Sequence, residues 1–163
     1  MMCCMTPDVV AGLDDDASRV VAGEARAWFE ANWNPDMSLG EWWAVLAESG
    51  WGFPTWPTHR YGRGLDAHLA PLVNGARRAA GALGPPAGIG PNLAGPTLLA
   101  HGSAGQQDRF LPGIVNGEIW CQLFSEPGSG SDLASLQTRA VRDGDQWVIN
   151  GQKVWTSGAH IAR

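Results

Sequence analysis

Hydroxyl, amide and glycine residues cluster at positions 122–132, where the chain reads Gln-Leu-Phe-Ser-Glu-Pro-Gly-Ser-Gly-Ser-Asp. Glycines such as Gly128 and Gly130 let backbone N–H groups approach a ligand closely, and serine hydroxyls supply short hydrogen-bond donors. The segment lacks the Gly-Lys-Ser/Thr ending of a Walker loop and the G-x-G-x-x-G pattern of a dinucleotide-binding fingerprint. Spacing alone therefore favours a tight connection, in which Glu126 and Asp132 stabilise turns or cap helices rather than act as acids.

The segment Asn150–Gly158 forms a second cluster, in which Trp155, Thr156 and Ser157 lie at the end of a predicted strand. Trp155 is interpreted either as a buried core side chain or as a ring stacked near a planar cofactor. In the second case the two hydroxyls would reach the heteroatoms of that cofactor. Either cluster alone is a weak signal, and the sequence spacing leaves both readings open.

The composition excludes several classes of protein. Of the 163 residues, 44% are hydrophobic and 17% are charged, which is a globular rather than a disordered balance. The net charge is -5, and Lys153 is the one lysine, so no basic stripe is present. We therefore expect neither nucleic acid nor a membrane as a partner. No apolar run approaches the ~18 residues that span a bilayer.

The cysteines indicate neither a metal site nor a disulfide framework. Cys3 and Cys4 are adjacent in a terminus that we expect to be frayed, and Cys121 lies in an apolar run. The acidic N-terminus fits neither a secretory signal nor a transit peptide. These features predict a cytoplasmic protein without a bound metal.

Helix signals dominate the first two thirds of the chain and predict about five helices. These signals are, in chain order, the acidic residues 14–16, the Ser38–Glu41 capping box closed by Gly50, Pro71 with the apolar residues 69–83, the apolar run 93–101, and the Ser103–Gln106 capping box. Pro71 either begins its helix or kinks it.

Strand signals replace the helix signals after Gly117. The predicted strands are Ile119–Phe124, Thr138–Arg142, Gln146–Ile149 and Lys153–Thr156. Asp143–Gly144 and Asn150–Gly151 are preferred pairs for type I′ turns, so two consecutive hairpins are expected. A meander of four strands is marginal alone, and we expect it to continue into a barrel or sandwich.

The predicted fold class is therefore α+β. We assign residues 1–117 to an N-terminal all-α domain of about five helices, and residues 118–163 to the beginning of a middle β domain that is truncated. The change from helical to alternating periodicity sets this boundary.

Three stretches, taken in order and with their spacing, resemble the acyl-CoA dehydrogenase family. They are Gly50–Leu65 with Pro54 and Trp56–Pro57, then Pro96–Gly117, and finally Trp120–Asp132 together with Asn150–Ala159. The resemblance covers nearly the whole chain beyond its first residues. The third stretch carries it most strongly, because the glycine-rich loop and the Trp-hydroxyl strand occur together.

The resemblance implies an N-terminal helical domain, a middle β domain and a C-terminal four-helix domain, with FAD held against the β domain. By motif position, Ser125 would bond the pyrimidine edge of the flavin, Ser157 would approach its N5, and Ser131 would also face the acyl-CoA. The flavin-binding residues implied in this way are Gln122, Leu123, Phe124, Ser125, Gly130, Ser131, Trp155, Thr156 and Ser157.

The implied activity is FAD-dependent α,β-dehydrogenation of an acyl-CoA thioester, with hydride transfer to flavin N5. The family also implies an electron-transfer flavoprotein-like acceptor and a homo-oligomer, a dimer or tetramer, for the full-length protein. Its catalytic base is a glutamate of the C-terminal domain. No residue here matches that glutamate, so we assign no catalytic residue and expect these 163 residues alone to be inactive.

Two other interpretations remain. One is another flavoenzyme on the same fold, an acyl-CoA oxidase or a flavin monooxygenase. The other is a non-catalytic helical interaction module, and retention of both flavin-facing clusters argues against it.

Overall fold

The computed structural model describes residues 16–162, which form five α-helices followed by one antiparallel β-hairpin. Their bounds are α1 Asp16–Asn32, α2 Leu39–Ser49, α3 Ala70–Ala79, α4 Gly95–His101, α5 Ala104–Val115, β1 Arg139–Asp143 and β2 Gln146–Asn150. The predicted order of five helices and then strands is confirmed. Cys3, Cys4 and the acidic positions 14 and 15 lie outside the described residues.

The second helix begins and ends where its sequence signals predict. Ser38 Oγ accepts the Glu41 N–H at 3.3 Å, and the Glu41 carboxylate accepts the Ser38 N–H at 2.9 Å. This reciprocal capping box satisfies two backbone donors that the first turn leaves free. Gly50 then ends α2 in the left-handed region, at φ 76°. The same box, formed by Ser103 and Gln106, begins α5.

Two indoles of α2 join that helix to the segment after α3. Trp42 is fully buried, and its Nε1 donates to the Leu83 carbonyl at 2.8 Å. The Nε1 of Trp43 donates to the next carbonyl, that of Gly84, at 3.1 Å. Trp42 also contacts the ring of Trp28 on α1, so one aromatic core joins the first two helices to the end of α3.

The helical region differs from the prediction at two helix boundaries. Pro71 lies in the first turn of α3, so it begins the helix rather than kinks it. That helix ends at Ala79, before the predicted Leu83, because the chain turns through Gly81 at φ 69°. A π-helical turn, Gly90–Ala94, precedes α4, and in it Gly95 N–H bonds to Gly90 O five residues back.

A second core lies between the loop after α2 and α5, with Phe53, Trp56, Leu111, Ile114 and Val115 buried in it. The glycine that begins α4, Gly95, packs directly on the edge of the Trp56 ring. A Cβ at Gly95 would lie 2.6 Å from Trp56 Cη2, which is closer than side chains tolerate. This close approach sets where α4 lies above the second core.

The β region forms two of the four predicted strands. Strands β1 and β2 pair in an antiparallel register that places Arg139 opposite Asn150 and Val141 opposite Val148. Gly144 has φ 57°, and Asp145, the second residue of the two-residue turn, has no positive φ. That pattern is typical of a type II′ turn, so the type I′ prediction is wrong.

The other two predicted strands, Ile119–Phe124 and Lys153–Thr156, are wrong as ladder strands within the described residues. One backbone hydrogen bond, from Val154 N–H to Ser125 O at 3.0 Å, joins the second segment to the residue that follows the first. The second segment does not continue as a strand, because Trp155 has φ 57° and leaves the extended conformation there. The predicted hairpin at Asn150–Gly151 is therefore not formed.

Candidate functional site

The glycine-rich loop is held closed by its own serines and acids. Glu126 and Ser129 exchange two backbone hydrogen bonds, Glu126 N–H to Ser129 O at 2.8 Å and the reverse at 3.0 Å. The buried Ser129 hydroxyl hydrogen-bonds to Asp132 O at 2.7 Å and to Ser135 Oγ at 2.5 Å. Asp132 Oδ1 accepts the Ala134 N–H, so this acid caps a short 3₁₀ turn, Leu133–Ser135, as the sequence favours.

The Glu126 side chain is buried and is engaged by several donors. Its carboxylate accepts the Gln137 N–H at 2.7 Å, the Thr138 N–H at 3.0 Å and the Lys153 ammonium at 2.9 Å. The Thr138 side chain, the Gln137 N–H, the Lys153 ammonium and the Thr138 N–H together lower the pKa of Glu126 to about 2, against the effect of burial. A carboxylate with that pKa is a poor proton acceptor near neutral pH, so Glu126 is no candidate for the base.

The second cluster presents an exposed indole on a strained backbone. Trp155 is 91% exposed, which separates it from the buried core tryptophans. Its φ of 57° is rare for a bulky residue, and such conformations concentrate at functional sites. The bond from Ser157 N–H to Trp155 O at 3.2 Å closes the turn that follows. The core-residue reading of Trp155 does not hold in the described part of the chain.

One cleft of about 210 Å³ brings the two clusters together. Five residues predicted from the sequence line it, and each lies within three positions of Ser125 or Val154, the two residues that hydrogen-bond across the clusters. They are Gln122, Phe124 and Ser125 from the first cluster, with Trp155 and Ser157 from the second.

The remaining predicted residues lie around this cleft rather than in it. Leu123 lines a neighbouring apolar cleft, described below, while Thr156 is half-buried and faces neither. Gly130 and Ser131 are exposed in the glycine-rich loop, outside both clefts. A Cβ built at Gly130 would meet no atom within 4 Å, so this position faces open space.

The neighbouring apolar cleft, of about 350 Å³, separates α4 from residues 120–124. Leu93, Thr97 and Leu98 form one wall, and Trp120 contributes to the other. The Thr97 hydroxyl donates to the Leu93 carbonyl at 2.8 Å, so the wall presents mainly hydrocarbon. Trp120 packs edge-on against Phe110, which fixes the wall to α5.

Sequence reasoning assigned no role to two residues at this site. Ile89 lines both clefts, although the sequence placed it in a linker rich in helix breakers. Lys153 reaches from the second cluster to the first, with Nζ 2.9 Å from Phe124 O and 2.9 Å from a Glu126 oxygen. Two features of the sequence could have pointed to Lys153: it is the sole lysine, and Val154 and Trp155 directly follow it.

Within residues 16–162, no group of His, Cys, Asp or Glu side chains is placed to hold a metal ion. Across the same residues, no helix combines the length and apolar character needed to cross a membrane.

Comparison with known proteins identifies the family. The model of the acyl-CoA dehydrogenase N-terminal domain matches residues 10–118, and the model of the middle domain matches residues 121–163. The chain belongs to the acyl-CoA dehydrogenase family. Acyl-CoA dehydrogenase IpdE1 of Mycobacterium tuberculosis is 51% identical over 124 residues, covering 75% of this chain and 32% of that protein.

Solved structures of similar proteins share the fold. The Tcur3481-Tcur3483 steroid ACAD aligns with a TM-score of 0.60 and 34% identity, over 92% of this chain and 42% of that one. The ChsE4-ChsE5 complex from Mycobacterium tuberculosis aligns with a TM-score of 0.60 and 32% identity, over 99% of this chain and 42% of that one. The chain thus spans 32–42% of the length of these relatives.

Proposed function

We propose that the protein is an FAD-dependent dehydrogenase that acts on an acyl-CoA thioester, and that the cleft between the two clusters faces the flavin ring. One observation carries this proposal. The cleft is lined by Ser125, Ser157 and Gln122 together with Trp155, whose indole is exposed. A flat ring beside hydroxyl and amide groups matches a planar cofactor with heteroatoms along one edge.

Each residue then has a distinct task. Ser125 and Gln122 would hydrogen-bond the pyrimidine edge of the ring, Ser157 would approach N5, and Trp155 would pack against the ring system. Leu123 and Phe124 would provide apolar contact, and Thr156 would complete the set of flavin-binding residues. Because a Cβ at Gly130 would meet only open space, the loop can bring its backbone close to a ligand there.

The substrate would lie beside the flavin. We assign its acyl group to the apolar cleft against α4, and Ser131, exposed in the loop, to the acyl-CoA. Bound FAD would supply the acceptor for the hydride that leaves the β-carbon of the thioester. None of residues 16–162 is assigned as the base that removes the α-proton, and Glu126 is excluded by its low pKa. We place that base in the C-terminal domain of the family.

The domain division and the partners are proposed from the same resemblance to the family. We divide the chain near Gly117 into a helical domain and the beginning of a β domain. As partners we expect a second copy of the chain, in a homo-oligomer, and an electron-transfer flavoprotein-like acceptor. Among the similar proteins of known structure, one is a steroid ACAD and another is the ChsE4-ChsE5 complex. We therefore include a steroid-derived CoA thioester among the first substrates, and a second protein chain among the assemblies to test.

The test is to purify the protein as its gene encodes it and record its absorbance. A yellow protein with an FAD spectrum supports the proposal, and a colourless protein that takes up no added FAD favours the interaction module. Anaerobic addition of linear, branched and steroid-derived acyl-CoA thioesters should bleach the flavin. Rapid reoxidation by oxygen alone would instead identify an oxidase or a monooxygenase.

A further inference from the structure

One lysine spans the two clusters of the candidate site. Lys153 lies immediately before Val154 and Trp155, and its ammonium donates to Phe124 O and to a Glu126 carboxylate oxygen, each at 2.9 Å. These two acceptors lie on either side of Ser125. The next residue, Val154, donates its N–H to the Ser125 carbonyl at 3.0 Å. Residues 153 and 154 therefore bind three consecutive residues, 124–126.

The geometry points to Lys153 and Glu126 as positioning residues that set the separation between the Ser125 and Ser157 hydroxyls on the flavin. We call this arrangement, formed by residues 124–126 with Lys153 and Val154, the lysine clamp. The inference rests on the proposed function, because it assigns a role toward the flavin ring to Lys153 and Glu126, which do not line the cleft.

The clamp controls how the two clusters lie relative to each other, because few other contacts join them. Among the described residues, the Val154–Ser125 bond is the one backbone hydrogen bond between residues 119–125 and 152–157. The Lys153 side chain is 20% exposed and that of Glu126 is 7% exposed, so water competes poorly for their contact. Hydrogen bonds between ionised groups are shorter and stronger than neutral ones. The ammonium thus contributes two of the three polar links in the clamp.

Glu126 connects the clamp to the hairpin. The same carboxylate that binds Lys153 accepts the N–H groups of Gln137 and Thr138, which lead into β1. Removing the ammonium leaves the buried carboxylate without its one cationic partner, and it frees the Phe124 carbonyl. The clusters would then be joined by the Val154–Ser125 bond alone. We expect the Trp155 turn to move relative to Ser125, while the helical core remains intact.

The first measurement requires no flavin. Hydrogen exchange of the Val154 amide reports directly on the clamp, because this N–H is bonded only when the clusters are joined. Lys153→Met should speed its exchange about tenfold or more, the effect expected when charge-assisted hydrogen bonds are lost. Lys153→Arg keeps the charge and should exchange more slowly than Lys153→Met. Arg142→Met removes a charge from the exposed hairpin, where Arg142 bonds the Gly144 carbonyl, and should leave Val154 exchange unchanged.

The second measurement uses FAD. Lys153→Met should weaken FAD binding about tenfold and shift the flavin absorbance maximum, and Lys153→Arg should restore the wild-type maximum at least in part. Arg142→Met serves again as the neutral control. A merely structural lysine would lower thermal stability without moving the spectrum of the flavin that remains bound.

The outcomes separate the two proposals. Wild-type exchange of Val154 in Lys153→Met overturns the clamp. Faster exchange with an unchanged flavin spectrum and affinity overturns the positioning role. A wild-type protein that takes up no FAD contradicts the proposed function. If Val154 exchange is nevertheless faster in Lys153→Met, the clamp holds the two clusters together but has no role toward a flavin, and the positioning role is overturned. Faster exchange together with a shifted spectrum supports the inference.

Discussion

Substituting Gly95 by alanine tests the contact that places α4 above the second core. The added Cβ would lie 2.6 Å from Cη2 and 2.8 Å from Cζ2 of Trp56, whereas ordinary contacts are 3.4–4 Å. Trp56 is 8% exposed and stacks on Phe53 with ring centroids 4.4 Å apart, so its ring cannot swing away. The helix, the ring or both must therefore move by roughly 1 Å.

The magnitude follows from two opposing effects. Overpacking a well-filled core costs about 1–3 kcal/mol in the free energy of unfolding. Alanine in place of glycine within a helix contributes up to about 1 kcal/mol in the opposite direction. Gly23 supplies the matched control, because it lies inside α1 and a Cβ there would meet nothing within 4 Å. The difference between Gly95→Ala and Gly23→Ala therefore approximates the steric cost, about 1–3 kcal/mol.

Urea denaturation followed by far-UV circular dichroism measures this difference, and thermal melting checks it. At about 2–4 °C per kcal/mol, the two variants should differ by roughly 2–12 °C in Tm, with Gly95→Ala the lower. If Gly95→Ala gains as much stability as Gly23→Ala, the close packing of α4 on Trp56 is refuted. The same result would remove the reason for placing the α4 wall of the apolar cleft where we describe it.

Four further predictions concern the caps, the flavin site and pH. Ser103→Ala should lower the unfolding free energy by about 1 kcal/mol through loss of the α5 cap, measured in urea. Ser157→Ala should slow flavin reduction in stopped-flow experiments more than it weakens FAD binding, and unchanged reduction would contradict its assignment to N5. Gly130→Val should lower FAD occupancy with little change in Tm; full flavin content would mean that the loop does not cradle the cofactor. The pKa of Glu126 falls from 4.5 to about 2 on folding. Its ionised carboxylate therefore contributes fully to the free energy of unfolding above pH 4.5, and this contribution is lost as the pH falls toward 2. Glu126→Gln should flatten the acid limb of the stability curve.

The parts of the fold predicted correctly depend on residues close together in sequence. Each capping box is an interaction between a serine and a residue three positions later, as with Ser38 and Glu41, so spacing alone identifies it. Gly50 ends α2 for an equally local reason, since it takes a left-handed conformation. Proline in a first turn is also local, although the sequence alone did not separate the start of α3 from a kink at Pro71.

The parts predicted poorly depend on distant contacts. A run such as Ile119–Phe124 has strand composition, but a strand needs a partner ladder, and composition does not say where that partner lies. Trp155 illustrates the same limit, because burial of an indole depends on what packs above it. The reach of Lys153 to residues 27 and 29 positions away follows from the folded path of the chain, which no spacing rule describes.

The exposure of Trp155 makes this indole an optical reporter. At 91% exposed, compared with 64% for Trp147 on the hairpin, it is the described tryptophan most open to collisions with solutes. Iodide or acrylamide should therefore quench its fluorescence before that of Trp42 in the core. In a Trp147→Phe background, the quenchable fraction of the emission would come mainly from Trp155. Anything that covers this ring, a small molecule or a neighbouring polypeptide, would then register as lost quenching, without a label and in dilute solution.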